Sequence, residues 1–221
     1  MKRNILVIDT ETADLSGSVY DIGYTITNKK GAIFLERNWL VREIFLNARK
    51  MMGAFYAEKF FTHYAPALEM GKIKLTPWAD IVATLRQDMI EHNINTLAAY
   101  NLPFDKRVLT ATHKMLGGED KLLPHSVDLL DIWQFACETK LNSRLYKDTA
   151  KMQGWITEAG NLRTGAEYAF RFCRGDWGFI ESHTALDDAK IETEILAACF
   201  ATHKKIPYNV LNGKTWRIVN A

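Results

Sequence analysis

Short apolar runs at the start of the chain predict the first strands of a sheet. Asn4 to Ile8 is a continuously apolar run rich in β-branched residues, which is typical of a strand buried on both faces. Val19 to Thr27 and Ala32 to Val41 are two further β-rich runs, and Asn28 and Gly31 between them supply hairpin turn chemistry. We therefore predict that the fold begins with three antiparallel strands.

Helical spacing of apolar residues dominates the middle of the chain. Residues 43–92 are predicted to hold two helices, with a break at about Gly71 to Pro77. Asn95 to Tyr100 reads as a fourth strand, and Pro103 opens a helix directly after it. Such a strand and helix form an α/β unit, and His125 to Val127 supplies a fifth strand.

The last third of the chain is predicted to be mainly helical. The final long helix runs from about Thr184 to Thr202, and shorter helices lie near residues 128–137, 142–153 and 164–173. Asp128 is predicted to cap the first of these, and Asp131 is also interpreted as a helix-capping acid. A small hairpin is predicted within residues 155–164. The pattern therefore indicates an α/β fold, in which helices flank a mixed five-stranded sheet whose first three strands are antiparallel.

Length and composition fit one compact domain spanning residues 1–221. Of the 221 residues, 48% are apolar, which is enough to bury a sizeable core. We expect a helical insertion at about residues 43–92 and a short tail at about residues 204–221. The 28 basic and 26 acidic residues give a net charge of +2, which excludes a polybasic-tail binder and an acidic disordered segment.

Cysteine usage and hydropathy indicate the cellular compartment of the protein. Cys137, Cys173 and Cys199 form no CxxC pair, so the sequence indicates neither a disulfide framework nor a thiolate zinc site. No apolar run approaches the ~20 residues that span a bilayer, and the first residues show no cleavage-site pattern. We expect a cytoplasmic protein with no membrane partner.

Two acids converge at the end of the first predicted strand. Asp9 and Glu11 stand two residues apart there, and because strand side chains alternate, both point to the same face. An isolated pair of this kind is most often a turn residue and a solvated acid. The placement favours a functional role, since ligand sites in α/β sheets gather at the carboxyl ends of strands.

Other candidate residues lie at two helix starts. Asp105 is in the first turn after the fourth strand, where an acid also stabilises a helix without any function. Thr184 and Asp187 resemble a capping box at the start of the last helix. Helical geometry then places Asp188 at the edge of the buried face and Asp187 toward solvent. His183 lies just outside that helix, where packing or exposure is the commoner fate of a single histidine.

Carboxylates gathered in one place need a compensating charge, because close like charges raise one another's pKa. Mg²⁺ suits a few carboxylates together with phosphate oxygens, and two such ions stabilise the attacking and leaving oxygens of a phosphodiester. A nearby imidazole can deprotonate the attacking water. The candidate ligands of two Mg²⁺, for which Mn²⁺ can substitute, are Asp9, Glu11, Asp105 and Asp188, and the candidate base is His183.

Three segments resemble the exonuclease motifs of the DnaQ-like, or DEDDh, 3′–5′ exonucleases. They are Ile8 to Thr12, Asn101 to Asp105, and His183 to Ala189, and both their order and their spacing fit the family. The resemblance extends from Ile5 to about Phe200 and implies a ribonuclease-H-like sheet.

The resemblance also implies a role for each matching acid and for the histidine. Asp9, Glu11 and Asp188 would bind the first metal ion, Asp9 would also bind the second, and Asp105 would hold the second ion through water. His183 would be the general base.

Residues beside these motifs are candidates for binding the substrate. The resemblance implies that Thr10 and Thr12 flank the pocket for the terminal nucleotide, and Asn101 lies in the same motif as Asp105. Phe104 is our candidate for a wall against the terminal base, since aromatic rings stack on single-stranded bases.

An aromatic-dense segment at residues 54–64, AFYAEKFFTHY, lies inside the predicted insertion. It could form a lid, a dimer face or a stacking surface. An amphipathic helix packed on the core is the favoured interpretation.

These features predict a metal-dependent 3′–5′ exonuclease that acts on single-stranded 3′ ends and releases nucleoside 5′-monophosphates, with DNA favoured over RNA. The alternatives are a 3′–5′ exoribonuclease of the same family, a non-catalytic nucleic-acid-binding or polymerase-accessory module, and a two-metal endonuclease. The intact acidic set weighs against a non-catalytic module, and the interval from His183 to Asp188 favours an exonuclease. A DNA polymerase and a second copy of the chain are the candidate protein partners.

Overall fold

A computed structural model of the chain describes residues 4–14, 16–124, 126–202 and 205–220. It shows a mixed α/β fold in which helices cover both faces of one six-stranded sheet. The strands are β1 (Asn4–Thr12), β2 (Val19–Thr27), β3 (Ile33–Val41), β4 (Lys74–Thr76), β5 (Ile94–Ala99) and β6 (Asp128–Asp131).

The strands lie in the order β4-β3-β2-β1-β5-β6. The predicted antiparallel pairing of β1, β2 and β3 is confirmed, and β5 and β6 continue the sheet in parallel from β1. The prediction of five strands was wrong by one. β4 pairs in parallel with Trp39 to Val41 at the sheet edge, and its three residues are too few for strand alternation to show in the sequence.

The helices before β4 are short, and most of those after it are longer. The helices are α1 (Arg42–Phe45), α2 (Ala48–Met52), α3 (Ala65–Glu69), α4 (Trp78–Glu91), α5 (Leu102–Met115), α6 (Ile132–Ala136), α7 (Arg144–Met152), α8 (Ala166–Arg174) and α9 (Ala185–Thr202). Residues Phe60–Tyr64 and Cys137–Leu141 form π-helical turns, and Thr215–Ile218 forms a 3₁₀ turn.

Several predicted boundaries need correction. Residues 43–92 contain four short or medium helices and β4, whereas the sequence predicted two helices. The fifth predicted strand ends where β6 begins, and its first residue, His125, lies outside the described residues. Asp131, not Asp128, caps α6, because its Oδ1 accepts the backbone N–H of Trp133 at 3.0 Å. The predicted hairpin at 155–164 is reduced to one bridge between Ile156 and Leu162.

The two faces of β1 belong to two apolar cores. Leu6 and Ile8 pack with the helices on one side of the sheet, and Ile5 and Val7 pack with α9 on the other. Continuous burial of β1 is what its unbroken apolar run predicts. In the described part of the chain, no helix combines the length and apolar character needed to cross a membrane.

The first turn of α9 lies directly on the sheet at Gly23. This glycine pairs with Asp9 across β1 and β2. A Cβ atom built there would stand 2.3 Å from the backbone nitrogen of Leu186 and 2.5 Å from the carbonyl carbon of Ala185. Only a residue without a side chain permits this approach, which brings Asp188 toward the end of β1.

We expect Gly23→Ala to lower the free energy of unfolding by about 1–3 kcal/mol, because the added methyl group must displace backbone atoms of α9. Gly53→Ala is the matched control, since a Cβ there would meet its nearest neighbour at an ordinary 3.5 Å. Urea unfolding of both variants and the parent measures the difference. Equal stability of the two variants would show that α9 does not depend on this contact.

Candidate functional site

The carboxylates of Asp9 and Glu11 leave β1 on the face that carries α9. They continue the alternating series of Ile5 and Val7, whose side chains lie in the core that α9 covers. The predicted convergence of the two acids on one face is therefore what the strand produces. Asp9 is partly buried beneath α9, and Glu11 lies nearer the open end of the strand.

A buried acid of β2 holds the start of α9. Asp21 is fully buried, and its Oδ2 accepts the backbone N–H of Ala185 at 3.1 Å and the Tyr64 hydroxyl at 2.9 Å. The Asp21 carboxylate thus caps the helix from a neighbouring strand. Asp21 was not among the predicted site residues, although an acid inside an otherwise β-rich apolar run is a signal for it.

The chain enters α9 through a strained residue. His183 has a φ of +51°, a conformation that residues with a Cβ rarely adopt. Thr184 is buried and donates its hydroxyl to Asp187 Oδ2 at 3.0 Å, so the two residues pair through their side chains. As predicted, Asp187 is exposed, whereas Asp188 is only 4% exposed.

Three of the predicted site residues come together in a compact group. Glu11, His183 and Asp188 each offer one ligand atom, and these three atoms lie within 4.8 Å of one another. Asp9 and Asp105 do not belong to that group, although their charges act on each other. The structure thus brings three of the five predicted catalytic residues tightly together and leaves Asp9 and Asp105 outside that group.

Asp105 is held in place by a hydrogen bond from β1. The carboxyl group is buried in the first turn of α5, and its Oδ1 accepts the Thr10 hydroxyl at 2.8 Å. Thr10 is itself buried and leaves β1 on the face opposite Asp9. Its hydroxyl therefore orients Asp105, and its role beside a nucleotide stays a prediction.

The other predicted substrate residues lie around the same sheet end. Asn101 precedes α5 in a left-handed conformation with φ of +68°, and its N–H donates to Asp131 Oδ1 at 3.1 Å. Phe104 packs partly against the core, with the guanidinium carbon of Arg107 5.2 Å from its ring centre. Thr12 lies partly exposed at the end of β1. Their contacts with a nucleotide stay predictions.

The aromatic segment at residues 54–64 reaches over the histidine. The Tyr56 ring stacks on the His183 imidazole, with ring centres 4.8 Å apart and planes 16° from parallel. Lys59 Nζ donates to the backbone carbonyl groups of Ser182, at 2.7 Å, and His183. Both contacts tie the segment to the turn that precedes α9.

The favoured interpretation of that segment, an amphipathic core helix, was correct only in part. Tyr64 is fully buried and Phe60 packs against the core. Residues 53–58 form turns instead of a helix, and Phe55 is 84% exposed. Periodicity cannot show that a side chain packs against a distant loop, which is why the contact of Tyr56 with His183 was missed.

Burial makes ionisation of the carboxylates unfavourable. It raises the pKa of Glu11 to about 9 and of Asp188 to about 8, with further upward contributions from neighbouring acids and a downward one from Lys59. Burial also raises the pKa of Asp105 to about 7. The pKa of Asp9 lies well above its usual range, first through burial and then through the charges of Glu192 and Asp105.

This donor set suits a hard divalent cation. Clustered carboxylate oxygens, some of them buried, are what Mg²⁺ and Mn²⁺ prefer, and a bound cation would offset their mutual repulsion. The residues that could bind the cation are the four acids named from the sequence: Asp9, Glu11, Asp105 and Asp188. His183 adds a nitrogen beside Glu11 and Asp188.

Comparison with known proteins yields a likeness to solved structures. No family model matches the sequence, and no curated protein does so. Among solved structures, the chain is similar to Exonuclease X in complex with 5′ overhanging duplex DNA, with a TM-score of 0.43 and 19% identity over 89% of this chain and 91% of that one. A likeness at this level bears on neither substrate nor reaction.

We expect the cation-free protein to lose stability as pH rises. Because the pKa of Glu11 is raised to about 9 and that of Asp188 to about 8, the native state keeps protons that the unfolded chain releases near pH 4. The free energy of unfolding should fall by about 2 kcal/mol or more between pH 5 and pH 9. Urea unfolding in EDTA measures it.

Added Mn²⁺ is the control for that experiment. It should restore most of the lost stability at the upper pH values, because the cation replaces the missing protons as the compensating charge. Equal stability at both ends of the pH range in EDTA would contradict the assignment of these carboxylates as buried and mutually repelling.

Proposed function

We propose that the protein is a metal-dependent 3′–5′ exonuclease of the DEDDh type, which releases nucleoside 5′-monophosphates from single-stranded nucleic acid. The observation that carries the proposal is the compact group of Glu11, His183 and Asp188. These residues come from two of the motifs that resemble the family, and Glu11 is more than 170 positions from the other two in the chain. Asp105 and Asn101, from the third motif, lie at the same sheet end.

The carboxylates serve as the cation ligands in this proposal. Asp9, Glu11, Asp105 and Asp188 would hold two divalent cations, which when bound would neutralise the carboxylates and polarise a phosphodiester. Thr10 keeps the Asp105 carboxylate aimed by its hydrogen bond. Gly23 and Asp21 fix the position from which Asp188 extends, through close packing and helix capping respectively.

His183 is suited to accept a proton from water. Burial lowers the pKa of His183, and the Lys59 ammonium lowers it further, so the ring is neutral at neutral pH. Stacking on Tyr56 restricts the orientation of the ring. Lys59 holds the carbonyl groups of Ser182 and His183, which fixes the turn that carries the ring. The proton of the attacking water would pass to an imidazole nitrogen.

Aromatic and polar groups near the acids would receive the terminal nucleotide. Phe104 precedes Asp105 on α5 and would form a wall against the terminal base, a contact worth about 1–3 kcal/mol on single strands. Thr12 and Asn101 would line the same recess. We favour DNA over RNA as the substrate, and an exoribonuclease of the same family is the alternative. Association with a DNA polymerase or with a second copy stays a prediction.

The decisive assay uses 5′-labelled single-stranded DNA and RNA of the same sequence. With Mg²⁺ or Mn²⁺ we expect a ladder that shortens from the 3′ end, faster on DNA, and no shortening in EDTA or with Asp9→Asn. The ladder would be absent for a non-catalytic module, and internal cuts would indicate an endonuclease. Full activity of Asp9→Asn would refute the mechanism.

Replacement of the proposed base should affect turnover more than binding. We expect His183→Ala to lower kcat by about 10²–10⁴ and to change KM less than about threefold, which is typical of a lost general base. His63→Ala, an exposed histidine of the neighbouring segment, is the control. Steady-state kinetics on the labelled DNA measures both. A matched loss of kcat and affinity for substrate would make His183 a structural residue.

A further inference from the structure

A buried acid outside the three motifs lies one turn beyond Asp188. Glu192 follows Asp188 by four positions on α9, so the two side chains share a face of the helix. Glu192 is only 2% exposed. Its neighbours Ile191 and Ile195 pack in the core between α9 and the sheet, which places Glu192 at an internal position. A glutamate at such a position requires a reason, because charged residues are almost never fully buried without a partner.

One oxygen of this carboxyl group lacks a hydrogen-bond partner. Glu192 Oε2 is inaccessible to solvent and has no partner among the described residues. The backbone N–H of Tyr100, directly after β5, lowers the pKa of the carboxyl group, although burial raises it more. No lysine or arginine is among the main influences on its ionisation, which come from burial and from other acids. A buried acceptor left in this state indicates an absent ligand or a group retained for function.

The unpartnered group faces the proposed cation site. Among the charges that act on Glu192, that of Asp105 is the strongest and that of Asp188 follows among the acids. In turn, Glu192 exerts the strongest single charge effect on Asp9. Helical geometry places Glu192 one turn from Asp188 on the buried side of α9, which packs on β1, and the mutual charge effects agree with a position near Asp9 and Asp105. Glu192, Asp9 and Asp105 lie outside the compact group of Glu11, His183 and Asp188.

We propose that Glu192 is a further ligand of the cation site, whose free oxygen completes the coordination of the ion held by Asp9 and Asp105. This inference rests on the proposed function, because it assumes that the carboxylates bind divalent cations. With Glu192 the proposed ligand set has five carboxylates, and two divalent cations would offset four of their negative charges. The added ligand would make the site bind its second cation more tightly than four carboxylates alone.

The charge balance explains why a fifth acid is tolerated at this depth. Lys59 reaches the site from the segment at residues 54–64, and its ammonium acts on Glu11 and Asp188. Among the described residues, no cationic side chain is a main charge partner of Asp9 or Asp105. A divalent cation beside these two acids would compensate all three carboxylates at once, Glu192 included.

Calorimetric titration of Mn²⁺ into the chelator-treated chain tests the proposal without measuring activity. We expect the parent protein to bind two Mn²⁺. Glu192→Gln, which keeps the shape and removes the charge, should raise the Kd of one Mn²⁺ at least tenfold or abolish that site. Glu192→Asp, which withdraws the charge by one methylene group, should raise the Kd of the same Mn²⁺ at least threefold. This variant provides the test if Glu192→Gln does not fold.

Glu194→Gln is the matched control, because Glu194 lies two residues further along α9, is exposed and pairs with Arg174. It should bind Mn²⁺ as the parent does. Unchanged Mn²⁺ binding by a folded Glu192→Gln or Glu192→Asp variant would overturn the inference and make Glu192 a structural group. A parent protein that binds no Mn²⁺ would instead overturn the proposed function, so the two failures are distinguishable.

Discussion

Close packing of α9 against the sheet at Gly23 is the constraint on which the site depends. The helix backbone rests where a side chain would otherwise project, and Asp21 receives the first N–H of the helix at the same point. As a result, Asp188 and Glu192 extend along a surface that meets the carboxyl end of β1. A helix displaced outward by a side chain would separate these acids from Asp9 and Glu11.

The same contact creates an electrostatic problem that the fold does not solve by itself. Several carboxylates lie close together in a region from which water is largely excluded, and burial favours their neutral forms. Lys59 offsets the part of this charge that lies next to Glu11 and Asp188. Among the described residues, no cationic side chain is a main charge partner of Asp9, Asp105 or Glu192. This asymmetry is the physical basis for proposing cations at the site.

Much of the fold was predictable because local signals agreed with the tertiary structure. Runs rich in β-branched residues marked β1 and β2, and Pro103 marked the start of α5. β4 escaped prediction because three residues show no period. Asp128 and Asp131 both suit a capping position, and Asp131 is the one that caps α6 because β6 ends at that residue and α6 begins directly after it.

For this protein, the sequence by itself determined the order of the strands along the chain, the acids at their ends and the histidine before α9. These are local properties, because strand alternation and helix starts depend on neighbouring residues. Only the tertiary structure decided the roles of Gly23, Asp21, Tyr56, Lys59 and Glu192. Each of them acts across a gap of many positions, through packing, capping or charge, and such contacts leave no periodic trace in the chain.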